Sequence, residues 1–205
     1  MFNNAAEHGW SAMLDDNKCA IEEAATLDAD CLVLVVGGLA KGDESLSDAR
    51  RRTHDALAQL APVARSAGVR LAIEPLHPMY AADRSCVNTL SQTLDLCDAL
   101  GEGVGVAIDV YHVWWDPDLE AQIARAGSRI FAYHICDWLS PTEDMLLDRG
   151  MMGDGVINLR EIRGWIEQAG YRGYHEVEIF SARNWWKRDA DDVLRICAQR
   201  FLQAT

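Results

Sequence analysis

Positive charge is scarce in this chain. It carries 19 lysines and arginines against 32 aspartates and glutamates, which gives a formal net charge of -13. A surface of that sign repels phosphate backbones, so the composition disfavours nucleic acid as a partner. It favours a small substrate that is neutral, or one whose charge a metal ion neutralises.

Closely spaced cysteine pairs and long apolar runs are also missing, and we expect no leader. The six cysteines lie far apart and form no C-x-x-C pair, which disfavours both a disulfide framework and a thiolate zinc site. No apolar run is long enough to span a bilayer, and the start, MFNNAAEHGW, lacks the basic and apolar stretches of a signal peptide. We therefore expect reduced thiols, no membrane partner and a cytoplasmic location.

What the chain does contain is an alternation of short β-branched runs with helical patterns. Its 205 residues are 49% hydrophobic and include only 5 prolines, so we expect a single domain over residues 1–205. The alternation predicts right-handed crossovers and a parallel α/β sheet. Five strands are predicted, at 31–37, 69–75, 104–110, 129–135 and 174–180, with a further helix at about 11–28.

Several helix ends are also readable. Asp116 with Pro117 predicts a helix start, and Asn158 with Glu161 three residues later resembles a capping box. Ala-Gly pairs predict helix ends at 67–68, 126–127 and 169–170.

Two architectures fit this order of elements, an open doubly wound sheet and a (β/α)₈ barrel. The loop after the first strand, GGLAKGDESLSDAR, begins with glycines but matches neither the dinucleotide fingerprint nor the P-loop. Nucleotide binding is therefore disfavoured.

Ionisable residues recur at the strand ends. Four consecutive predicted strands carry one at or beside the carboxyl end: Glu74, Asp109, His134 and Glu178. In a barrel these side chains would converge, and three carboxylates with an imidazole would repel one another unless a cation bound them. Any one of them alone is more often a loop cap or a satisfied core residue. Together they predict one divalent metal ion, with Mn²⁺ the first choice and Mg²⁺, Co²⁺ or Zn²⁺ as alternatives.

Aromatic and polar residues follow two of these strands. His112, Trp114 and Trp115 come directly after Asp109, and His77 follows Glu74. The tryptophan rings could form a wall on which a sugar stacks, or they could pack against a helix or another subunit. His77, and Arg84 in the same loop, could contact substrate, although such loops are often only solvated turns.

At these positions the sequence resembles the xylose isomerase-like TIM-barrel superfamily, in particular its sugar phosphate isomerase/epimerase branch. The resemblance rests on IEPLHP (73–78), DVYH (109–112), HICD (134–137), DRGMMGDG (148–155) and EVEIF (176–180). It implies that the four strand-end residues are metal ligands and that His112 and Arg149 hold substrate oxygens. It also implies that Glu74 and Glu178 form the catalytic acid/base pair.

The chain departs from a complete barrel of this kind. Eight strands and about 250 residues are usual, whereas five strands are predicted here. We expect an incomplete (β/α)₈ barrel that lacks its first β/α units. An exposed parallel edge would need a cover, and a homo-oligomer is one way to provide it.

The expected function is that of a divalent-metal-dependent isomerase or epimerase, which moves a proton next to a carbonyl of a sugar, sugar phosphate or keto-sugar through a metal-bound enediolate. The substrate would be a small sugar or cyclitol. One alternative is a metal-dependent lyase or dehydratase acting on inososes or 3-keto-glycosides. Another is a non-catalytic barrel fragment that serves as an interaction module.

Overall fold

Five parallel strands form one curved sheet, half of a TIM barrel, in a computed structural model that describes residues 9–40, 43 and 45–205. Residues 1–8, most of the stretch that suggested the absence of a leader, lie outside the described residues. The sheet order follows the chain order, because each crossover returns to the neighbouring position. The expectation of an incomplete α/β barrel is confirmed.

The sheet consists of β1 (Cys31–Leu34), β2 (Arg70–Ile73), β3 (Val104–Asp109), β4 (Ile130–Ile135) and β7 (His175–Val177), while β5 (Asp137–Trp138) and β6 (Arg149–Gly150) form an antiparallel pair. The helices are α1 (Trp10–Thr26), α2 (Leu46–Ser66), α3 (Leu90–Leu100), α4 (Val110–Val113), α5 (Leu119–Ala126), α6 (Leu159–Gln168) and α7 (Ala190–Ala204). Short 3₁₀ turns occupy Pro78–Tyr80, Gly127–Arg129 and Trp185–Lys187.

All five predicted strands form, each somewhat shorter than its apolar run. The predicted helix ends at the Ala-Gly pairs are confirmed, and the glycines at 68, 127 and 170 have positive φ, which ends each helix without strain. Asn158 caps α6 by accepting a hydrogen bond from the Glu161 amide, as expected.

The predicted start of the fifth helix was wrong by two residues. Asp118, rather than Asp116, is the N-cap of α5. The Asp116 side chain accepts the Asp118 amide at 2.9 Å and closes a turn before the helix begins. Either Asp116 or Asp118 could have been the cap from the sequence, but the Asp116 side chain is used in the preceding turn.

The two faces of the sheet differ in side-chain size. Leu71 and Ile73 of β2 point outward into a large apolar core beneath the helices. Ala72, Ala107 and Ala132 point to the inner face and form a small cluster of their own. Because strand residues alternate between faces, the residue two positions after each alanine also points inward, at the carboxyl end of its strand.

A long segment folds back over that end of the sheet. The buried Asp137 carboxylate accepts backbone amides from Gly153 at 2.9 Å, Gly155 at 2.8 Å and Ile157 at 3.0 Å. A side chain at position 155 would also lie 2.1 Å from the Trp138 carbonyl oxygen, so only glycine fits there. These bonds fix the glycine-rich stretch of the segment beside β5.

Two edges of the sheet are open. Within the described part of the chain, β1 and β7 each pair with one strand only. No helix among the described residues has both the length and the apolar composition needed to cross a bilayer.

Replacing Asp137 with asparagine should loosen the glycine-rich stretch. The new amide nitrogen would face backbone donors, so at least one buried N–H would lose its acceptor, at a cost of about 1–3 kcal/mol. We expect faster hydrogen exchange at residues 153–157 and a lower free energy of unfolding. Asp118→Asn is the matched control, because Asp118 is exposed and its side chain makes no capping hydrogen bond. Unchanged exchange at 153–157 in Asp137→Asn would contradict the anchoring role.

Candidate metal centre and active site

The inner-face alternation brings the four strand-end residues together. Asp109 is the last residue of β3, His134 is the penultimate residue of β4, and the two are directly paired across the strands. Glu74 follows β2, and its amide continues the ladder by donating to the Leu34 carbonyl at 3.0 Å. Glu178 follows β7, and its amide donates to the Ile135 carbonyl at 3.1 Å. All four lie on the barrel side of the sheet, one layer above the inner alanines.

These side chains form one cluster. Each offers one donor atom, and the four atoms all lie within 4.8 Å of one another. His134 Nδ1 is 3.0 Å from Glu74 Oε1 and 3.6 Å from Glu178 Oε2. Asp109 is fully buried, whereas the Glu178 side chain is 37% exposed and faces the open side of the cluster.

The pKa values of the clustered side chains are shifted because they are buried and three carboxylates lie close together. Burial raises the pKa of Glu74, and burial together with the charges of Asp109 and Glu74 raises the pKa of Glu178 to about 7. Burial would lower the pKa of His134, but its hydrogen bond with Glu74 and the surrounding carboxylates outweigh that effect and raise it to about 9. The carboxylates therefore attract positive charge strongly.

Arg149 supplies part of that charge. Its Nη1 donates to Asp109 Oδ2 at 2.7 Å and lies 3.3 Å from Glu178 Oε2. Its guanidinium also lies over the rings of Tyr111, at 4.3 Å, and Phe180, at 4.9 Å. Burial would raise the pKa of Asp109, but the charges of Arg149 and the nearby histidines, with the Tyr111 amide, together outweigh it and hold that pKa below its usual value. Arg149 thus reaches the cluster from β6, far along the chain.

His112 lies in the helical turn α4, where it is buried. The His77 amide donates to its Nδ1 at 3.2 Å, and Arg149 Nη2 lies 3.2 Å from its Nε2. Burial lowers the pKa of His112 to about 4, which keeps the ring neutral near pH 7. Its Nε2 also lies 3.6 Å from Asp109 Oδ2. His112 therefore presents Nε2 beside the cluster.

The donor set fits a divalent cation. Protein oxygen and nitrogen ligands lie about 2.0–2.2 Å from such ions, so opposite ligands are up to about 4.4 Å apart. The observed spread of 4.8 Å needs only a small contraction. With His134 as a neutral ligand, three carboxylates and the Arg149 guanidinium leave two negative charges, which a divalent ion balances. The oxygen-rich set without thiolate suits a hard or borderline ion.

A cavity of about 310 Å³ opens beside the cluster. Its polar lining includes Glu74, Glu178, His112, Arg149 and Arg84. The rest is mainly apolar or aromatic and consists of Val35, Leu76, Tyr80, Leu146, Leu147, Phe180 and Trp186. Ionisable groups and an apolar wall in one small cavity are typical of a ligand site. A larger cavity of about 640 Å³ lies at the opposite ends of the strands and contains none of the four clustered residues.

Three residues predicted to bind substrate lie outside the lining of this cavity: His77, Trp114 and Trp115. His77 stacks on Trp138 with ring centroids 5.2 Å apart, and Trp115 meets the edge of His77. Trp115 Nε1 donates to the His112 carbonyl at 2.8 Å. Trp114 packs against Trp138 and the apolar core. The structure therefore places His77 and Trp115 against His112, and Trp114 against Trp138.

Glu176, the middle residue of β7, lines the larger cavity and lies outside the four-residue cluster.

Sequence reasoning missed several lining residues. Tyr80 and Phe180 contribute aromatic surface to the cavity, and the Tyr80 hydroxyl donates to the Met145 carbonyl at 2.6 Å. The Tyr111 hydroxyl donates to the same carbonyl at 2.9 Å, so the two tyrosines hold the returning segment against the site. Tyr80 sits six residues after Glu74, which could have marked it as a neighbour of the strand end.

Comparison with known proteins agrees with the TIM-barrel fold described above. Residues 2–197 match the family model described as xylose isomerase-like TIM barrel. A curated protein named inosose isomerase, from Halalkalibacterium halodurans, is 28% identical over 221 aligned positions that cover 100% of this chain and 74% of that protein.

Two solved structures extend the comparison. Protein SMc04130 from Sinorhizobium meliloti 1021 is 64% identical, with a TM-score of 0.93 over 95% of this chain and 71% of that chain. A structure described as IolI protein with a binding zinc atom is 24% identical, with a TM-score of 0.79 over 100% of this chain and 73% of that chain. The second likeness supports the fold.

Proposed function

The chain belongs to the xylose isomerase-like TIM-barrel family, and on that premise we propose that it is a divalent-metal-dependent isomerase or epimerase of a small sugar or cyclitol. The observation that carries the proposal is the position of Glu74 and Glu178. Both glutamates belong to the four-donor cluster and both line the same cavity, so one bound molecule can contact them together. The name of the inosose isomerase relative supports a sugar or cyclitol substrate.

The proposed metal ligands are Glu74, Asp109, His134 and Glu178. A divalent ion held there would act as a Lewis acid on neighbouring carbonyl and hydroxyl oxygens of the substrate. We propose Mn²⁺ first, because oxygen ligands predominate; the zinc named for IolI supports Zn²⁺ as the main alternative.

The acid and base are proposed to be Glu74 and Glu178. One carboxylate takes the proton from the carbon beside the carbonyl, and the other returns a proton to the opposite face or to the neighbouring carbon. Glu178 is the more exposed of the two, with 37% of its side chain accessible against 8% for Glu74. Glu178 can therefore exchange its proton with solvent, whereas Glu74 is shielded.

Two further residues are proposed to hold substrate oxygens. His112, which lines the cavity, would hold a substrate hydroxyl through Nε2, because its Nδ1 already accepts the His77 amide. Arg149 remains charged at every physiological pH and lies where negative charge develops on the substrate. The apolar wall formed by Leu76, Leu146 and Phe180 would exclude water from the reacting carbon.

The role proposed for His77, Trp114 and Trp115 is an indirect one, through the position of His112. His77 and Trp115 bond directly to its ring and backbone, and Trp114 packs against Trp138, on which His77 stacks. We propose that they orient the imidazole. Direct stacking of a sugar on Trp114 and Trp115 remains a prediction from the sequence.

Metal content tests the site before any substrate is known. We expect purified protein loaded with Mn²⁺ to retain about one ion per chain by elemental analysis after desalting. Glu178→Gln should lose most of it, because a charged ligand becomes a neutral one. Glu176→Gln is the matched control, since Glu176 lies in β7, two residues before Glu178, and is outside the cluster. Equal metal loss in both variants, or no retained metal in the original protein, would contradict the proposal.

Proton exchange tests the chemistry. With Mn²⁺ and a neutral inosose or keto-sugar in D₂O, the protein should introduce deuterium at the carbon beside the carbonyl, as detected by NMR. Glu74→Gln should reduce the rate by at least about 10²-fold, the usual contribution of an acid or base. An isomer or epimer as product supports the proposal, whereas an unsaturated product would assign the chain to the lyases. Exchange at full rate in Glu74→Gln would remove the role given to that residue.

The open edge of the half-barrel carries exposed apolar side chains. Leu194 and Leu202 of α7 are 67% and 80% exposed, and Tyr174 beside β7 is 77% exposed. Such patches usually mark contact surfaces. We propose that a second copy of this chain covers this edge.

The dimer can be tested by light scattering, which should give about twice the 22.8 kDa monomer mass. Leu194→Asp should shift the measured mass toward that of the monomer. A monomer at micromolar concentration would contradict the dimer.

A further inference from the structure

One positive charge at the cavity has no acidic partner among the described residues. Arg84 lines the cavity together with Glu74 and Glu178, but its guanidinium contacts the face of the Tyr80 ring, 5.4 Å from the centroid. Arg149, the other guanidinium of the cavity, is different because Asp109 and Glu178 already neutralise it. Among the described residues that line the cavity, only Arg84 therefore has its charge available for a ligand.

The position of Arg84 is fixed by its neighbours. Its amide donates to the Tyr80 carbonyl at 3.0 Å, so the two residues are one helical turn apart. The Tyr80 ring is buried and is itself held by its hydrogen bond to Met145. The guanidinium thus lies on a rigid aromatic surface at the cavity wall, where a cation–π contact stabilises it.

The surroundings of the Arg84 guanidinium compensate only part of its positive charge. A half-buried guanidinium loses part of its hydration, and the aromatic face replaces only some of it. The side chains around it in the cavity are mostly apolar, including Leu76, Leu147 and Trp186. A planar guanidinium with free N–H donors matches a carboxylate or a phosphate, which it can bind through two parallel hydrogen bonds.

We propose that Arg84 is a specificity-determining residue that binds an anionic substituent of the substrate, a phosphate or a carboxylate. The inference rests on the proposed function and deepens it: the substrate is a sugar or cyclitol derivative with negative charge away from the carbons between which the proton moves. The carboxylates of Glu74 and Glu178 repel that charge and Arg84 attracts it, so the two ends of the cavity orient the substrate. Because the chain as a whole carries a net charge of -13, a local cation is needed to admit an anion.

Binding of unreactive ligands tests Arg84 directly. Calorimetry on the Mn²⁺-loaded protein would compare a neutral alditol with the matching alditol phosphate and aldonate, none of which has a carbonyl to react. At least one anion should bind about tenfold or more tightly than the neutral alditol, and the stronger of the two identifies phosphate or carboxylate as the preferred group. Arg84→Met should bring the ratio to within about twofold, and Arg84→Lys should keep part of it.

Two controls keep the test decisive. Arg195→Met removes an exposed arginine of α7 that does not line the cavity, and it should leave the ratio as it is in the original protein. Elemental analysis of Arg84→Met should still give one metal ion per chain, which shows that the variant has folded around the same site. Equal affinity of the original protein for all three ligands, or a preference that survives in Arg84→Met, would overturn the inference.

Deuterium uptake separates this inference from the proposed function. Exchange with neutral keto-sugars, without any advantage for phosphorylated or carboxylated ones, overturns the role of Arg84 and leaves the isomerase proposal in place. Absence of exchange with neutral and anionic substrates alike contradicts the proposed function. In that case the alditol ratios still decide whether Arg84 binds anions.

Discussion

The mutual repulsion of three carboxylates at one end of a parallel sheet is the constraint on which this structure depends. Glu74, Asp109 and Glu178 cannot all be charged, close together and shielded from water unless positive charge lies among them. The fold brings them together anyway, because each occupies an inner-face position at the carboxyl end of its strand, with Glu74 and Asp109 two residues after inner-face alanines. The neighbouring groups contribute the cations and donors that this crowding requires.

Positive charge reaches the cluster from two distant parts of the chain. His134 comes from the next strand of the same sheet, whereas Arg149 comes from the returning segment that Asp137, Tyr80 and Tyr111 fasten over the strand ends. Arg149 in turn contacts two of the carboxylates and lies against two aromatic rings. The returning segment is therefore part of the site, since it supplies Arg149, the permanent cation that contacts the cluster within the described part of the chain.

The four clustered residues could be predicted from the sequence because the rule that gathers them is local and periodic. Residues ending successive parallel strands meet at one edge, so strand-end acids can be identified without coordinates. No such rule covers Asp137, which accepts amides 16 to 20 residues away, or Tyr80, whose partner is 65 residues away. The two adjacent tryptophans show the limit of such reasoning: the sequence left a substrate wall and core packing both open, and the structure packs Trp115 against His77 and Trp114 against the core, outside the cavity lining.

Anomalous diffraction from crystals of the Mn²⁺-loaded protein tests the central claim most directly. The account predicts a single strong peak about 2.0–2.4 Å from one atom each of Glu74, Asp109, His134 and Glu178. A peak elsewhere on the chain, or loaded crystals in which these four side chains stay paired only with one another and with Arg149, would contradict it.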